Sequence, residues 1–326
     1  MGADAMRTMK WMLAAACFGS AFLVHAGAQG VSAPPVALDQ DVIVVEAPGP
    51  ELWRIHDRDS EIFILATINA LPRGFRWNSR PIAAVLERAD RLYVSEPIGF
   101  GLDDVARLLV TRRDAVRNPD GLPLKDYLPT SLYQRLEATA AQEGLAMDDL
   151  ELWRPYIAGG RLLGAALQDV GLDSGAAIVR ETRRLARRAR VRVEEVEAMR
   201  ARPLIDALNA MPIGRDNACL ALQLEAIEVQ LPALRARADA WAGGDVAALR
   251  SFSTLVDSSA CLSSLGGSGL TFRDVENRFM AAWLTTLSEG LSRPGTRLAL
   301  ISADIFLRPN GLLQQLHAAG YAVEGP

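Results

Sequence analysis

The chain has 326 residues; half are apolar, 23% are charged, and the formal net charge is -4. That is ordinary globular composition, and it argues against collagen, coiled coil and bulk disorder. The length suits one large domain or two modest ones.

Residues 1–30 stand apart. Arg7 and Lys10 precede an apolar run from Trp11 to Val24, and the small residues Ala26-Gly27-Ala28 follow. Basic, apolar and small segments in this order make a secretory signal peptide over residues 1–28, with cleavage expected near Ala28. The apolar run is 14 residues long, short of the about 20 that a membrane helix needs. No transmembrane span is expected in the mature chain, which should be periplasmic or secreted. A rival reading makes Cys17 a lipid attachment site. It would leave the apolar FGSAFLV in the mature sequence, and Leu13 lies one place too early for a good lipidation motif. Cleavage removes Arg7, Lys10 and Asp4, so the mature charge is -5. Nucleic acid is therefore not an expected partner. Cys17 leaves with the signal, and Cys219 and Cys261 remain. A pair in an exported protein is a disulfide candidate, against the alternative of two separate buried thiols. Such a bond would close a loop of about 40 residues and stabilise by ~3–4 kcal/mol in the chain-entropy view.

Residues 29–50 hold four prolines and little periodicity, and read as a flexible N-terminal tail. A single domain is expected over 51–326. LWRIHDRDSEIFILATI reads as a β-hairpin, with apolar runs on both sides of the polar turn DRDS. Next, Ser79 can cap a helix with Pro81 in its first turn. Asp90-Arg91 breaks that pattern, and LYVSE is a strand ending in Glu96. From about 102 to 290 the pattern is helical. Two helices should stop at Gly144 and Gly171, a third covers SGAAIVRETRRLARRA, and VRVEEVE interrupts them as a strand. Arg215 to Trp241 reads as one long helix with a kink at Pro232, and Asp245 begins another. SSLGGSG, 263–269, reads as a flexible loop. A last long helix runs from about Thr271 to Ser288. TRLALIS, PNGLLQQLHAAG and YAVEG then give strand, helix ending at Gly320, and strand. The expected fold is α/β (α+β). Its central mixed sheet is built from the N- and C-terminal segments, with a large helical middle section packed on it.

Chemistry-bearing motifs are sparse. The mature chain has two histidines, His56 in the first hairpin and His317 on a C-terminal helix, and neither has a partner at ligand spacing. There is no H-E-x-x-H, C-x-x-C, P-loop or G-x-S-x-G. Arg180, Arg183, Arg184, Arg187 and Arg188 share one helix face. That face is either a surface for anionic polymer or lipid, or a solvated face in a chain that uses Arg for nearly every positive charge. Three acids lie at or just past strand ends: Glu96, Glu197 and Asp304. Acids at one end of a sheet can converge in a cleft.

These pieces, in this order, resemble the TraB/GumN family, which includes the Tiki metalloproteases. The resemblance covers nearly all of the mature chain. LWRIHDRDSEIFILATINALPRG resembles the hairpin with the first Gly-x-x-His motif, and ADRLYVSEP the strand with its acidic residue. LWRPYIAGGRLLGAALQDVGLDSGAA resembles the central helix and its Gly-Leu-Asp segment, here Gly171-Leu172-Asp173. VEEVEA resembles the strand with a second Glu, here Glu197. AWAGGDVAALRSF resembles the Trp…Gly-Asp stretch, and VENRFMAAWLTTL the helix bearing Asn277 and Arg278. LALISADIFLRPNGLLQQLHAAGYAVE resembles the second Gly-x-x-His motif and its tail.

The resemblance implies a divalent-metal site built from the two motifs and the Glu, in which imidazoles hold a metal that activates water. This chain departs there. The first motif reads Ala66-Thr67-Ile68-Asn69 and the second Ser302-Ala303-Asp304-Ile305, so both glycines and both histidines are replaced. Ile305 cannot bind a metal, and the Asn69 carbonyl is a poor substitute for imidazole. Glu96 keeps its place, while Glu276 stands where the family has Arg. The expectation is a metal-free, cofactor-free exported protein that binds a peptide or an envelope polymer. The alternatives are a metal-dependent hydrolase, as the family implies, and a new carboxylate chemistry on Glu96, Asp304 and Glu197.

Overall fold

The computed structural model describes residues 49–326 except 69, 96–97, 100–115, 175, 198, 201, 204–205, 207–211 and 253–271. The expected signal peptide, most of the expected tail, the Gly/Ser loop, Asn69, Glu96 and Cys261 lie outside the described residues.

The first hairpin forms as read. β1 (Leu52–Asp57) and β2 (Ser60–Thr67) pair antiparallel across the two-residue turn Arg58-Asp59. A short β3 (Ala70–Pro72) follows, then helix α1 (Arg80–Leu86) and β4 (Ala89–Ser95). Asp90 and Arg91 do not break the chain before the strand: they lie inside β4, whose pairing with its neighbour slips by one residue between Ala89 and Arg91. Ser79 occupies the N-cap position of α1, but its side chain makes no cap bond. The Asn78 Oδ1 accepts from the Arg80 N–H instead, at 3.1 Å. β5 is Ile98–Gly99.

The middle is helical, as the periodicity predicts. α2 spans Thr130–Gln142 and α3 Pro155–Asp169. Gly144 and Gly171 take left-handed backbone (φ +68 and +71) just past them. After α2 the Leu145 N–H returns to the Ala140 carbonyl at 2.9 Å, the six-to-one bond of a glycine C-cap. The Gly-Leu-Asp segment, for which the sequence suggests no strand, forms β6 (Leu172–Ser174); it pairs with β3, placing Asp173 opposite Leu71. α4 (Ala176–Arg188) leads to β7 (Arg192–Val196), and β8 (Met199–Arg200) pairs with β5.

The long helix is α5 (Ile213–Glu225) and α6 (Leu231–Ala242), joined by a π turn at Ala226–Gln230. Pro232 explains the turn. A proline has no N–H to give the carbonyl four residues back, here Glu228, and the ladder opens there without a helix break. α7 (Val246–Phe252) starts where expected: Asp245 Oδ1 accepts from the Ala248 N–H at 2.9 Å. α8 (Phe272–Leu291), β9 (Gly295–Ser302), α9 (Ala303–Phe306), α10 (Leu312–Ala318) and β10 (Val323–Glu324) complete the chain.

The main sheet has the order β10-β1-β2-β9-β4-β7, so chain ends and middle share it. β10, β1 and β2 are antiparallel to one another; β2, β9, β4 and β7 are parallel. Central β9 reads as an unbroken apolar run because both its faces are covered, and Leu298 to Ile301 are all buried. Each such Leu or Ile removed from water contributes about 1.5–3 kcal/mol.

Two apolar clusters result. One covers the sheet, with Ile62, Ile64, Leu92, Leu298, Trp241 and Trp283. The other joins α2, α3 and α5 through Leu136, Leu162, Leu220 and Leu224. β3 and α6 straddle the seam. Leu71 and Trp241 belong to the sheet cluster, while Ala70 and Leu231 belong to the helical one. No helix among the described residues is long and apolar enough to cross a membrane.

Candidate functional site

Parallel strands end at the same edge. In register, Ala66 of β2 faces Ile301 and Thr67 faces Ser302 of β9; Val94 of β4 faces Leu300, and Ser95 faces Val196 of β7. Ala66 and Ser302, which open the two altered motifs, therefore lie on neighbouring strands one register step apart. Ligand sites of sheets with parallel strands favour this carboxyl edge. Asn69 comes two residues after Thr67 and Glu96 one after Ser95 in the chain; both fall outside the described residues. Glu197 directly follows β7 and is exposed.

The strand ends are pinned by side chains. Ser95 Oγ donates to the Leu300 carbonyl at 2.9 Å, and Thr67 Oγ1 to the Ile301 carbonyl at 3.3 Å. The buried Trp241 of α6 donates its indole N–H to the Ala66 carbonyl at 2.6 Å. One turn earlier, Arg237 of α6 donates through Nη2 to Asp304 Oδ1 of α9. α6 thus ties the starts of both motifs together. Ile305 packs half-buried against the sheet cluster. The loop behind it closes tightly: a Cβ at Gly311 would stand 2.5 Å from the Ile305 carbonyl oxygen, so that position has no room for a side chain.

The remaining candidates lie elsewhere. Asn277 and Arg278 are exposed on α8. Asn277 lines a groove of about 380 Å³ with Glu276, Arg308 and Gln315. There Glu276 accepts from Arg308 Nη1 at 2.7 Å. Asp173 is placed in β6, in the small sheet beside β3. His56 meets Glu324 at 3.0 Å across the outer edge, and His317 is exposed. Among the described residues no three His, Cys, Asp or Glu side chains are grouped to hold a metal.

On α4, Arg180, Arg187 and Arg188 are exposed, while Arg183 reaches Glu195 and Arg184 pairs with Glu181 of its own helix. Pairing of the last two lowers the Glu181 carboxyl below its usual range, Arg184 being the main cause. Cys219 is fully buried in α5.

Sequence reasoning missed Arg237 and, though it quoted Trp241 within the Trp…Gly-Asp stretch, gave it no contact; it also missed a buried ion pair in the helical half. Arg154 Nε donates to Asp216 Oδ2 at 2.6 Å, and both side chains are almost wholly buried. Burial pushes the Asp216 carboxyl up to about 6, against the opposing pull of Arg154. The available signal was an Arg immediately before the helix-starting Pro155, and an Asp in the first turn of α5.

The fold and the strand-end geometry define an α+β protein with its candidate site at the carboxyl edge of parallel strands. Residues 51–325 match the TraB/PrgY/gumN family model, and the chain belongs to that family. No curated protein and no solved structure matches it.

Proposed function

We propose that this chain is an exported TraB/GumN-like protein that has lost the family's metal site and acts as a binding or accessory protein in the cell envelope. The observation that carries the reading is the fate of the second motif. Ile305, where the family resemblance expects a histidine, is an apolar side chain packed on the sheet cluster. Its neighbour Asp304 is already engaged by Arg237. The described donors at the strand ends are thus the Ser302 hydroxyl and a carboxylate neutralised by a guanidinium. These do not fit a divalent transition metal, which takes imidazole, thiolate or free carboxylate. No hydrolytic step is assigned. The site that remains suits recognition of a peptide or envelope polymer at the carboxyl edge of the sheet.

Native mass spectrometry of the exported chain, purified without chelators and offered Mn²⁺, Co²⁺ and Zn²⁺, tests this. The unaltered chain should take up no stoichiometric metal. The fourfold variant Ala66→Gly, Asn69→His, Ser302→Gly, Ile305→His should gain one equivalent. Stoichiometric metal on the unaltered chain, lost on Glu96→Gln, would overturn the proposal and restore the metal-dependent hydrolase. The same spectra read the start of the mature chain, expected just after Ala28. Without reductant, a deficit of two hydrogens marks the proposed Cys219–Cys261 bond; full-mass free thiols would refute it.

A further inference from the structure

Arg237 is a buried cation, only 9% exposed, bonded to Asp304 of the second motif and one turn before the Trp241 that reaches the first. A guanidinium carries five N–H donors in a planar fork. Asp304 uses Nη2 through a single oxygen. The neighbouring Nε is buried and has no acceptor among the described residues. Nε and Nη2 form the side edge of the fork, which a carboxylate spans with both its oxygens. The edge is therefore half filled, and a buried donor left without an acceptor is costly. On the same elements, Trp241 fixes α6 to the Ala66 carbonyl, and Asp304 is flanked in the chain by the half-buried Ser302 and by Ile305, which packs on the sheet cluster.

We propose that Arg237 is the anchor for a carboxylate-bearing ligand at the strand-end site, with Asp304 holding the guanidinium in place until the ligand completes the fork. The proposal rests on the metal-free reading above: a fixed guanidinium supplies the positive charge that a metal would otherwise supply. Carboxylate is favoured over phosphate because one side edge of the fork matches two coplanar oxygens. A peptide carboxyl terminus and a uronate of an envelope polymer share this chemistry.

The test is calorimetric titration of the mature chain in EDTA with tri-alanine, tri-alanine amide and galacturonate. A free carboxylate should bind and the amide should not; which acid binds more tightly names the source. Arg237→Gln should weaken the acid roughly tenfold, the weight of one charge-assisted bond. Asp304→Asn should tighten it, because the competing anion is gone while an oxygen acceptor remains. A purely structural ion pair would not give opposite signs in the two variants. Should Arg237→Gln fail to fold, Asp304→Asn alone decides. Equal binding of acid and amide, unchanged or weaker binding in Asp304→Asn, or no binding by either acid would each overturn the proposal. Binding that appears only when Zn²⁺ replaces EDTA would sink the metal-free reading as well, whereas silence under both conditions sinks this inference alone.

Discussion

The sheet half and the helical half of this molecule are held together differently. In the sheet half the core is apolar, and polar contacts sit at the strand ends, where Trp241, Ser95 and Thr67 fasten backbone carbonyls. In the helical half the polar contact is in the middle of the core: Arg154 and Asp216 are buried together between α3 and α5. Several buried acceptor oxygens of that half, on Asn118, Glu151, Asp216, Asn217 and Gln223, have no hydrogen-bond donor among the described residues. The sheet spends its polar groups on fixing an edge. The helical half spends them on choosing one way for two helices to pack, since a buried pair adds little net stability but penalises every arrangement that separates it.

The widest gap between the halves should come from Arg154→Met. It strands a buried carboxylate and should cost about 3–5 kcal/mol by chemical denaturation. Adding Asp216→Leu should recover most of that loss; a single-variant cost as small as a surface change would contradict the assignment. The pair also has a pH signature. Its carboxyl is raised from 3.8 to about 6 on folding, mainly by burial. Stability from this group is then fully present below 3.8 and lost as pH rises through about 6. Relative to Asp216→Asn, the unaltered chain should weaken between those values and run level above them. A flat difference across that window refutes the shift.

The sheet half should answer on a smaller scale. Trp241→Phe leaves the buried Ala66 carbonyl without its donor, whereas Trp283→Phe removes an indole N–H that has no acceptor. Both side chains are fully buried. Thermal or chemical unfolding should therefore find Trp241→Phe the more damaging by about 1–3 kcal/mol; equal losses would mean the bond is not made. Smallest of all is Arg135→Met at the two-bonded, partly exposed pair with Glu228, expected to cost ~0.2–1 kcal/mol and to fade in high salt.

Much of the fold was legible in the chain because its signals are local. The DRDS turn, Gly144, Gly171 and Asp245 each act within a few residues, and each sits where the sequence places it. What was not legible is long-range. Asp90 and Arg91 look like a break, yet pairing with β9 pulls them into a strand. Leu172-Asp173-Ser174 has no strand signal strong enough to stand alone and becomes one by pairing with β3. At the candidate site the register of β2 against β9 brings Ala66 and Ser302 together, a neighbourhood that family resemblance implied and periodicity could not. The contacts of Arg237 and Trp241 were unreadable for a different reason. On a helix with charged and apolar residues on every side, nothing local says which ones look toward a strand end.

The π turn before α6 bears on that last point. A π turn takes up one residue more than an α turn, and one residue is about 100° of helical rotation. On an otherwise regular helix an extra residue shifts the later positions round by that angle. The face of α5 that buries Leu220 and Leu224 in the helical cluster would, on a straight helix, have continued toward the same cluster. Just past the turn Leu231 and Leu234 still pack in the helical cluster, while further along Arg237 reaches Asp304 and Trp241 enters the sheet cluster. The surplus residue, lodged beside Pro232, thus lies where one helix passes from the core of the helical half to the core of the sheet half.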